Sequence, residues 1–290
     1  MKIRLISACI MLMVLISWIY SEFVPDTLWS LNEQAPPSVR YEPSSPEIVD
    51  EMLDIAEVCR ADVVYDLGCG DGRIVIAAAK KRGARGIGID NDPVRVRESR
   101  ENAKRAGVSG VKFRLDDLYE CSLRDATVVM LYLLPEANIM LRPKLFRELS
   151  PGARIVSHSH SMGRWRPDRQ TAEAGHRIYF WIIPANVSGR WSWHYGGKDW
   201  TLLLHQEFQD LRGTVRSGNT ELVPDAIKIS GDRLALTVSV PAGKGFDTLR
   251  FSGIVAGNTV EGTAGGGAGS GRRGCVWKAE RDPVTIRQIY

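Results

Sequence analysis

Cysteine is sparse and scattered in this chain. Five residues, Cys9, Cys59, Cys69, Cys121 and Cys275, share no disulfide or metal-ligand spacing. They are expected to be free and mostly buried thiols, and no metal site is expected. Strong charge of one sign is missing too: a net +4 over 290 residues suits an acidic partner but does not call for nucleic acid. No G-K-[ST] closes a glycine loop, so a phosphate-cradling P-loop is unsupported. Long apolar runs are scarce, and the one at the N-terminus, a candidate transmembrane helix, is short. The charge-free stretch Leu5 to Tyr20 has sixteen residues, short against the ~20 that a ~30 Å hydrocarbon core needs. It follows Lys2 and Arg4, as the apolar part of a signal sequence does, yet no A-x-A-like cleavage site comes after it, only "SWIYSE". Trp18 and Tyr20 at its end suit a membrane interface. Residues 1–22 are therefore expected to be a signal peptide or, in preference, an uncleaved signal-anchor that associates with a membrane through residues 5–20.

What is present falls into two halves. Residues 23–42, with Pro25, Pro36 and Pro37, read as an extended tether. From 43 to 184 strand and helix patterns alternate. Ser45 and Pro46 open a helix; Val63–Tyr65, Gly86–Ile89, Val111–Leu115, Thr127–Tyr132 and Arg154–Ser157 read as strands. Asp92 with Pro93 starts a helix that Gly107 ends, and another runs from about Pro135 to Leu149. This alternation predicts an α/β, Rossmann-like, doubly wound and mostly parallel sheet. Residues 185–290 instead show short alternating strands, with Gly231-Asp232 and Gly257-Asn258 as hairpin signals. They predict a small all-β antiparallel meander or barrel as an accessory domain, whose Trp191, Trp193, Trp200 and Trp277 are core. "GGGAGSG" reads as a loop within it.

The segment richest in chemistry is "VVYDLGCGDGRIVIAAAK". Gly68, Gly70 and Gly72 stand at every second position between a strand and a helix, where ligands bind in such sheets. A dinucleotide fingerprint, G-x-G-x-x-G, would need a third glycine where Arg73 stands. Asp66, just before the loop, would repel a pyrophosphate and attract an ammonium or sulfonium group.

With these residues the sequence resembles a class I S-adenosylmethionine-dependent methyltransferase, whose first motif has the form D-x-G-x-G-x-G. The resemblance implies that Asp66, Gly68, Cys69, Gly70, Asp71 and Gly72 bind S-adenosyl-L-methionine. Asp90 with Asn91 would meet the ribose hydroxyls, and Asp117 or Asp116 the adenine amino group. A closer similarity, over about residues 41–184, is to a family of lysine methyltransferases whose animal members modify the c subunit of ATP synthase. Its most telling segment is "YLLPE", Tyr132, Leu133, Leu134, Pro135 and Glu136. It stands where many amine methyltransferases carry N/D-P-P-Y. The chain departs from the family's usual residues at Glu42 and at Ser159-His160.

The resemblance implies a protein-lysine N-methyltransferase. Tyr132 would contact the target amine, the Leu133 and Leu134 carbonyls would accept its hydrogens, and Glu136 would guide the incoming cation or simply suit a helix N-terminus. His158 and His160 alternate, so both are expected on one face of a strand end lining the substrate cleft, with His158 the more important. The expected partner is a protein bearing a lysine, with membrane proteins as candidates, and no nucleic acid. Two rivals stay open: the same donor with a small-molecule, lipid or RNA acceptor, and a membrane-tethered binding module without turnover. The charges at Lys2 and Arg4 predict a cytosolic N-terminus. A spanning anchor would then place the body away from a donor made in the cytosol, so the side of the membrane stays open.

Overall fold

The computed structural model describes residues 41–243, 245–266 and 274–290. The expected anchor 1–22, nearly all of the tether and most of "GGGAGSG" lie outside the described residues. From Pro43 onward the chain forms one compact unit, built on two sheets.

The first sheet follows the alternating half. Helix α1 (Pro46–Ile55) is capped by Ser45, whose side chain accepts from the Ile48 N–H, and it buries Ile48, Val49, Met52, Leu53 and Ile55. Then come β1 (Val63–Leu67), α2 (Arg73–Arg82), β2 (Arg85–Asp90), α3 (Pro93–Ala106) and β3 (Val111–Leu115). Next are β4 (Val128–Leu131), α4 (Pro135–Glu148), β5 (Arg154–His158), β6 (Arg169–Glu173) and β7 (His176–Ile182). The strand order is β3-β2-β1-β4-β5-β7-β6. The first five strands are parallel, and β7 runs antiparallel to both β5 and β6. β1 and β4 are buried along their whole length, which is why they read as unbroken apolar runs. The strand order reverses between them, so a crevice opens beyond their carboxyl ends.

The second sheet comprises β8 (Gly189–Tyr195), β9 (Lys198–Glu207), β10 (Asp210–Ser217), β11 (Thr220–Leu222), β12 (Ala226–Ser230), β13 (Arg233–Ala242), β14 (Gly245–Ala256), β15 (Thr259–Gly265) and β16 (Cys275–Arg281). The hairpin turns at Gly231-Asp232 and Gly257-Asn258 are as expected. A simple meander is not what forms. The order β11-β10-β9-β8-β16-β15-β14-β13-β12 joins the first strand to the last and leaves β11 and β12 at opposite margins. Curling brings these margins together, β10 against β12 and β11 against β13. Trp191, Trp193, Trp200 and Trp277 are all buried inside the curl, with Phe251.

Each sheet has its own core, and the turn after β9 and the C-terminus reach from the second half into a core of the first. Phe208, at the β9–β10 turn, stacks on Trp165 at 5.9 Å, and the Trp165 indole N–H donates to Gln209 at 2.8 Å. The Tyr290 ring stacks on Phe146 at 4.9 Å. Of the cysteines, Cys69 and Cys121 are buried, whereas Cys59 and Cys275 are exposed, against the expectation of mostly buried thiols. Cys59 lies between turns, and Cys275 is the first residue of β16. Among the described residues no helix is long and apolar enough to cross a membrane.

Candidate active site

The glycine loop crosses from β1 to α2 with Gly68, Gly70 and Gly72 at φ of 79°, 52° and 80°. That left-handed backbone is costly for residues with a Cβ. Space adds a second reason. A Cβ on Gly72 would stand 2.6 Å from the Phe113 ring, and one on Gly68 would stand 3.0 Å from Leu133 Cδ2. The loop is pinned from β2: Ile89 O accepts from both the Gly68 and Cys69 N–H groups at 2.9 Å. Asp90 holds it further, one carboxylate oxygen accepting from the Gly70 N–H at 2.8 Å and the other from Asp92 at 2.9 Å.

The carboxylates differ in their surroundings. Asp66 is 2% exposed. Burial, and after it the charges of Asp90 and Asp71, push its carboxyl up to about 8. Asp71 is held by Arg73, whose guanidinium clamps both its oxygens at 2.7 to 3.1 Å. Asp116 and Asp117, both exposed just past β3, turn their carboxylates onto the backbone N–H groups of Asp117 and Tyr119 at 2.9 and 2.7 Å. Asn91 is exposed at the end of β2. Burial drives the Cys69 thiol well above its ordinary value, so it is no nucleophile.

The "YLLPE" segment follows β4. Leu134 caps α4, and its carbonyl accepts from Asn138 at 3.1 Å. Pro135 occupies the first helical position, and Glu136 is exposed in the first turn. The Tyr132 ring lies 3.9 Å from that of His158 and 6.4 Å from that of His160. One expectation fails here. Strand β5 ends at His158, and Ser159 takes φ +63°, so the alternation does not extend to His160. A kink, rather than strand register, brings both imidazoles to Tyr132. His158 is 1% exposed. Burial, with the neighbouring His176 and His160, lowers its pKa to about 4, so its ring is neutral at pH 7.

Several residues here escaped the sequence reading. Ser44 lies 2.9 Å from His158 Nδ1, and the His176 ring stands 4.8 Å from that of His158. Buried Asn138 donates to Ser157 Oγ and His160 O at 3.1 and 3.2 Å. Ser44 before a helix, His176 at a strand start and Asn138 within a helix carry little local signal, and only Asn138's place two residues past the motif could have drawn notice.

A sheet switch point bordered by carboxyl groups, with Gly68 and Gly72 leaving no room for a Cβ, is where ligands bind in such folds. Comparison with known proteins decides which. Residues 66–169 match the model of the ANTKMT methyltransferase domain. A protein-lysine N-methyltransferase of Saccharolobus islandicus is 39% identical over 153 residues, covering 51% of this chain and 95% of that protein. The chain belongs to this lysine N-methyltransferase family. The human lysine N-methyltransferase named for the c subunit of ATP synthase is 35% identical over 134 residues, covering 46% of this chain but only 57% of its own length. A crystal structure described as an RNA methyltransferase from Salinibacter ruber, with S-adenosyl-L-homocysteine, is 53% identical. It covers 50% of this chain and 96% of that one, at a TM-score of 0.50. The methyltransferase uses S-adenosyl-L-methionine, and its site fits that donor. Asp66, Asp71 and Asp90 cluster at the loop closely enough that the latter two raise the Asp66 carboxyl, a setting that favours a ligand of net positive charge, while Phe113 and Leu133 already occupy the Cβ positions of Gly72 and Gly68.

Proposed function

We propose that this methyltransferase acts on the ε-amino group of a lysine in a protein, held at Tyr132–Glu136 against the glycine loop. One observation carries the reading: the donor loop and the "YLLPE" segment meet, Gly68 leaving room for Leu133 at 3.0 Å from its missing Cβ. A group held by the loop therefore borders the amine's place directly. S-adenosylmethionine, when bound, supplies a methyl group on a sulfonium, a good leaving group. The protein's task is to place a neutral amine in line with it.

A free lysine amine is protonated, and making it neutral near pH 7.4 costs about 4 kcal/mol. Desolvation favours the neutral form. The surroundings do not oppose it, since the buried His158 ring beside Tyr132 is itself uncharged at pH 7. The Tyr132 ring supplies a face for the amine, and the Leu133 carbonyl an acceptor for its hydrogens. The Leu134 carbonyl already accepts one bond from the helix, which leaves it one lone pair. Exposed Glu136 draws the incoming ammonium toward the mouth. Asp66, Asp71, Asp90 and Asn91 hold the donor, with Asp116 or Asp117 at its adenine.

Leu134, Ile139 and Met140 are exposed beside the mouth, at 49%, 41% and 64%. An aliphatic rim suits an apolar protein segment, so a membrane protein is the favoured acceptor. Two of the relatives are named for adenine nucleotide translocase and for the c subunit of ATP synthase. Residues 5–20 would keep the enzyme at the membrane surface beside such a substrate. An RNA acceptor is the second reading, favoured by the description of the Salinibacter protein. Against it, base stacking needs aromatic platforms, and this rim has none among its exposed large side chains. The deciding experiment incubates the full chain with methyl-labelled donor and, separately, membrane-protein extract and total RNA. Label on lysine supports the proposal; label on RNA alone overturns it.

A further inference from the structure

Ser44 lies where the chain approaches α1, and it is 4% exposed. Its two oxygens reach in two directions. The backbone carbonyl accepts from Arg73 at 2.7 Å, and Arg73 is the residue that clamps Asp71 in the donor loop. The hydroxyl lies 2.9 Å from His158 Nδ1, and the His158 ring packs on Tyr132. One residue thus joins the donor loop to the acceptor-side imidazole.

The direction of the Ser44–His158 bond follows from counting hydrogens. His158 is uncharged at pH 7, so one ring nitrogen carries a proton and the other a lone pair. Nε2 is buried without a hydrogen-bond partner, and among the described residues the Ser44 hydroxyl has no acceptor besides Nδ1. If Nδ1–H donated to Ser44, two buried groups would be left unpaired: the hydroxyl hydrogen and the Nε2 lone pair. If the hydroxyl donates to Nδ1, only the Nε2–H is left. Each buried unpaired group costs stability, so the second arrangement, with one fewer, wins. The proton sits on Nε2, and that buried N–H is left without an acceptor, in a ring packed on Tyr132.

We propose that Ser44 is a positioning residue for methyl transfer: it fixes the His158 tautomer and ring plane, and through that ring the Tyr132 face against which the target amine is placed. This rests on the lysine-methyltransferase reading above.

The test uses the full chain labelled with nitrogen-15 at its five histidines. Long-range proton–nitrogen spectra at pH 7.5 are expected to show His158 protonated on Nε2. Ser44→Ala should mix the tautomers and Ser44→Thr should restore the single form. A wild-type His158 protonated on Nδ1 overturns the proposal outright, whether or not any variant folds. In methyl transfer to membrane-protein extract, Ser44→Ala should slow the rate about tenfold, mostly at limiting extract. Affinity for S-adenosylmethionine should stay within twofold, because the carbonyl that Arg73 uses remains. The Ser44→Ala/His158→Ala double variant should be no slower than His158→Ala; losses that multiply, or a fully active Ser44→Ala, refute the coupling. Should the wild type label no protein at all, the acceptor reading fails, while the tautomer still decides this inference.

Discussion

Replacing Asp66 by asparagine should weaken the enzyme's grip on its donor and, at the same time, stabilise the free protein at alkaline pH. Burial and two nearby carboxylates raise this carboxyl from 3.8 to about 8, so between those values the folded chain keeps a proton that the unfolded chain has lost. Stability then falls as pH rises through that window, by up to about 1.4 kcal/mol per pH unit. The full penalty, reached above pH 8, has a ceiling of about 6 kcal/mol. An asparagine side chain, which does not ionise, carries no such penalty. The difference in stability between Asp66→Asn and the wild type should therefore grow from near zero at pH 4 to several kcal/mol at pH 8. At ~2–4 °C per kcal/mol for a unit of this size, that is a melting shift of at least several degrees. Donor binding should move the opposite way. A cationic ligand draws Asp66 into its ionised form, so at pH 7 the wild type should release close to one proton on binding. Calorimetry in buffers of different ionisation enthalpy reads that proton directly. Asp66→Asn should lose about a hundredfold in affinity, close to 3 kcal/mol, and release none. Wild-type binding without proton release, together with a variant whose affinity stays within threefold, would refute the electrostatic reasoning.

Gly72→Ala should cost about 2–4 kcal/mol, from left-handed strain and the clash with Phe113; urea unfolding measures it. Lowering the pH from 6.5 to 4 should destabilise the fold through His158. Its folded pKa of about 4 lies below the ordinary 6.5, so the unfolded state takes up the proton first. The loss has a ceiling of about 3 kcal/mol, and it should be absent in His158→Gln when stability is followed against pH. Phe208→Ala removes a ring packed on Trp165 and Phe146 at 5.9 Å. It should cost about 3–5 kcal/mol and make the two sheets melt separately in calorimetry; a single unshifted transition would show that Phe208 does not join them.

Much of the catalytic half was legible because its signals are local. Ser45 and Asp92 cap helices within three residues of themselves, and Gly107 ends a helix by adopting a positive φ. The spacing of Gly68, Gly70 and Gly72 marked a loop between strand and helix, and the structure places that loop there with all three glycines at positive φ. The alternating tryptophans of the second half were legible as core for the same reason, since period-two burial is a property of a single strand.

The rest depends on which residues meet across long sequence distances. Nothing near Ser44 in the sequence points to His158, 114 residues away, yet they share a hydrogen bond. The alternation of His158 and His160 suggested a continuing strand, but Ser159 turns the chain instead. Pairing of β8 with β16 closes the second sheet in an order that no hairpin signal encodes, because each turn specifies only its own two strands. The sequence by itself determined the glycine loop, the acids beside it and the helix boundaries, through conformations that a few adjacent residues impose. Only the tertiary structure decided the protonation of Asp66 and His158 and the tie from the glycine loop through Ser44 to His158, since burial and distant partners set these.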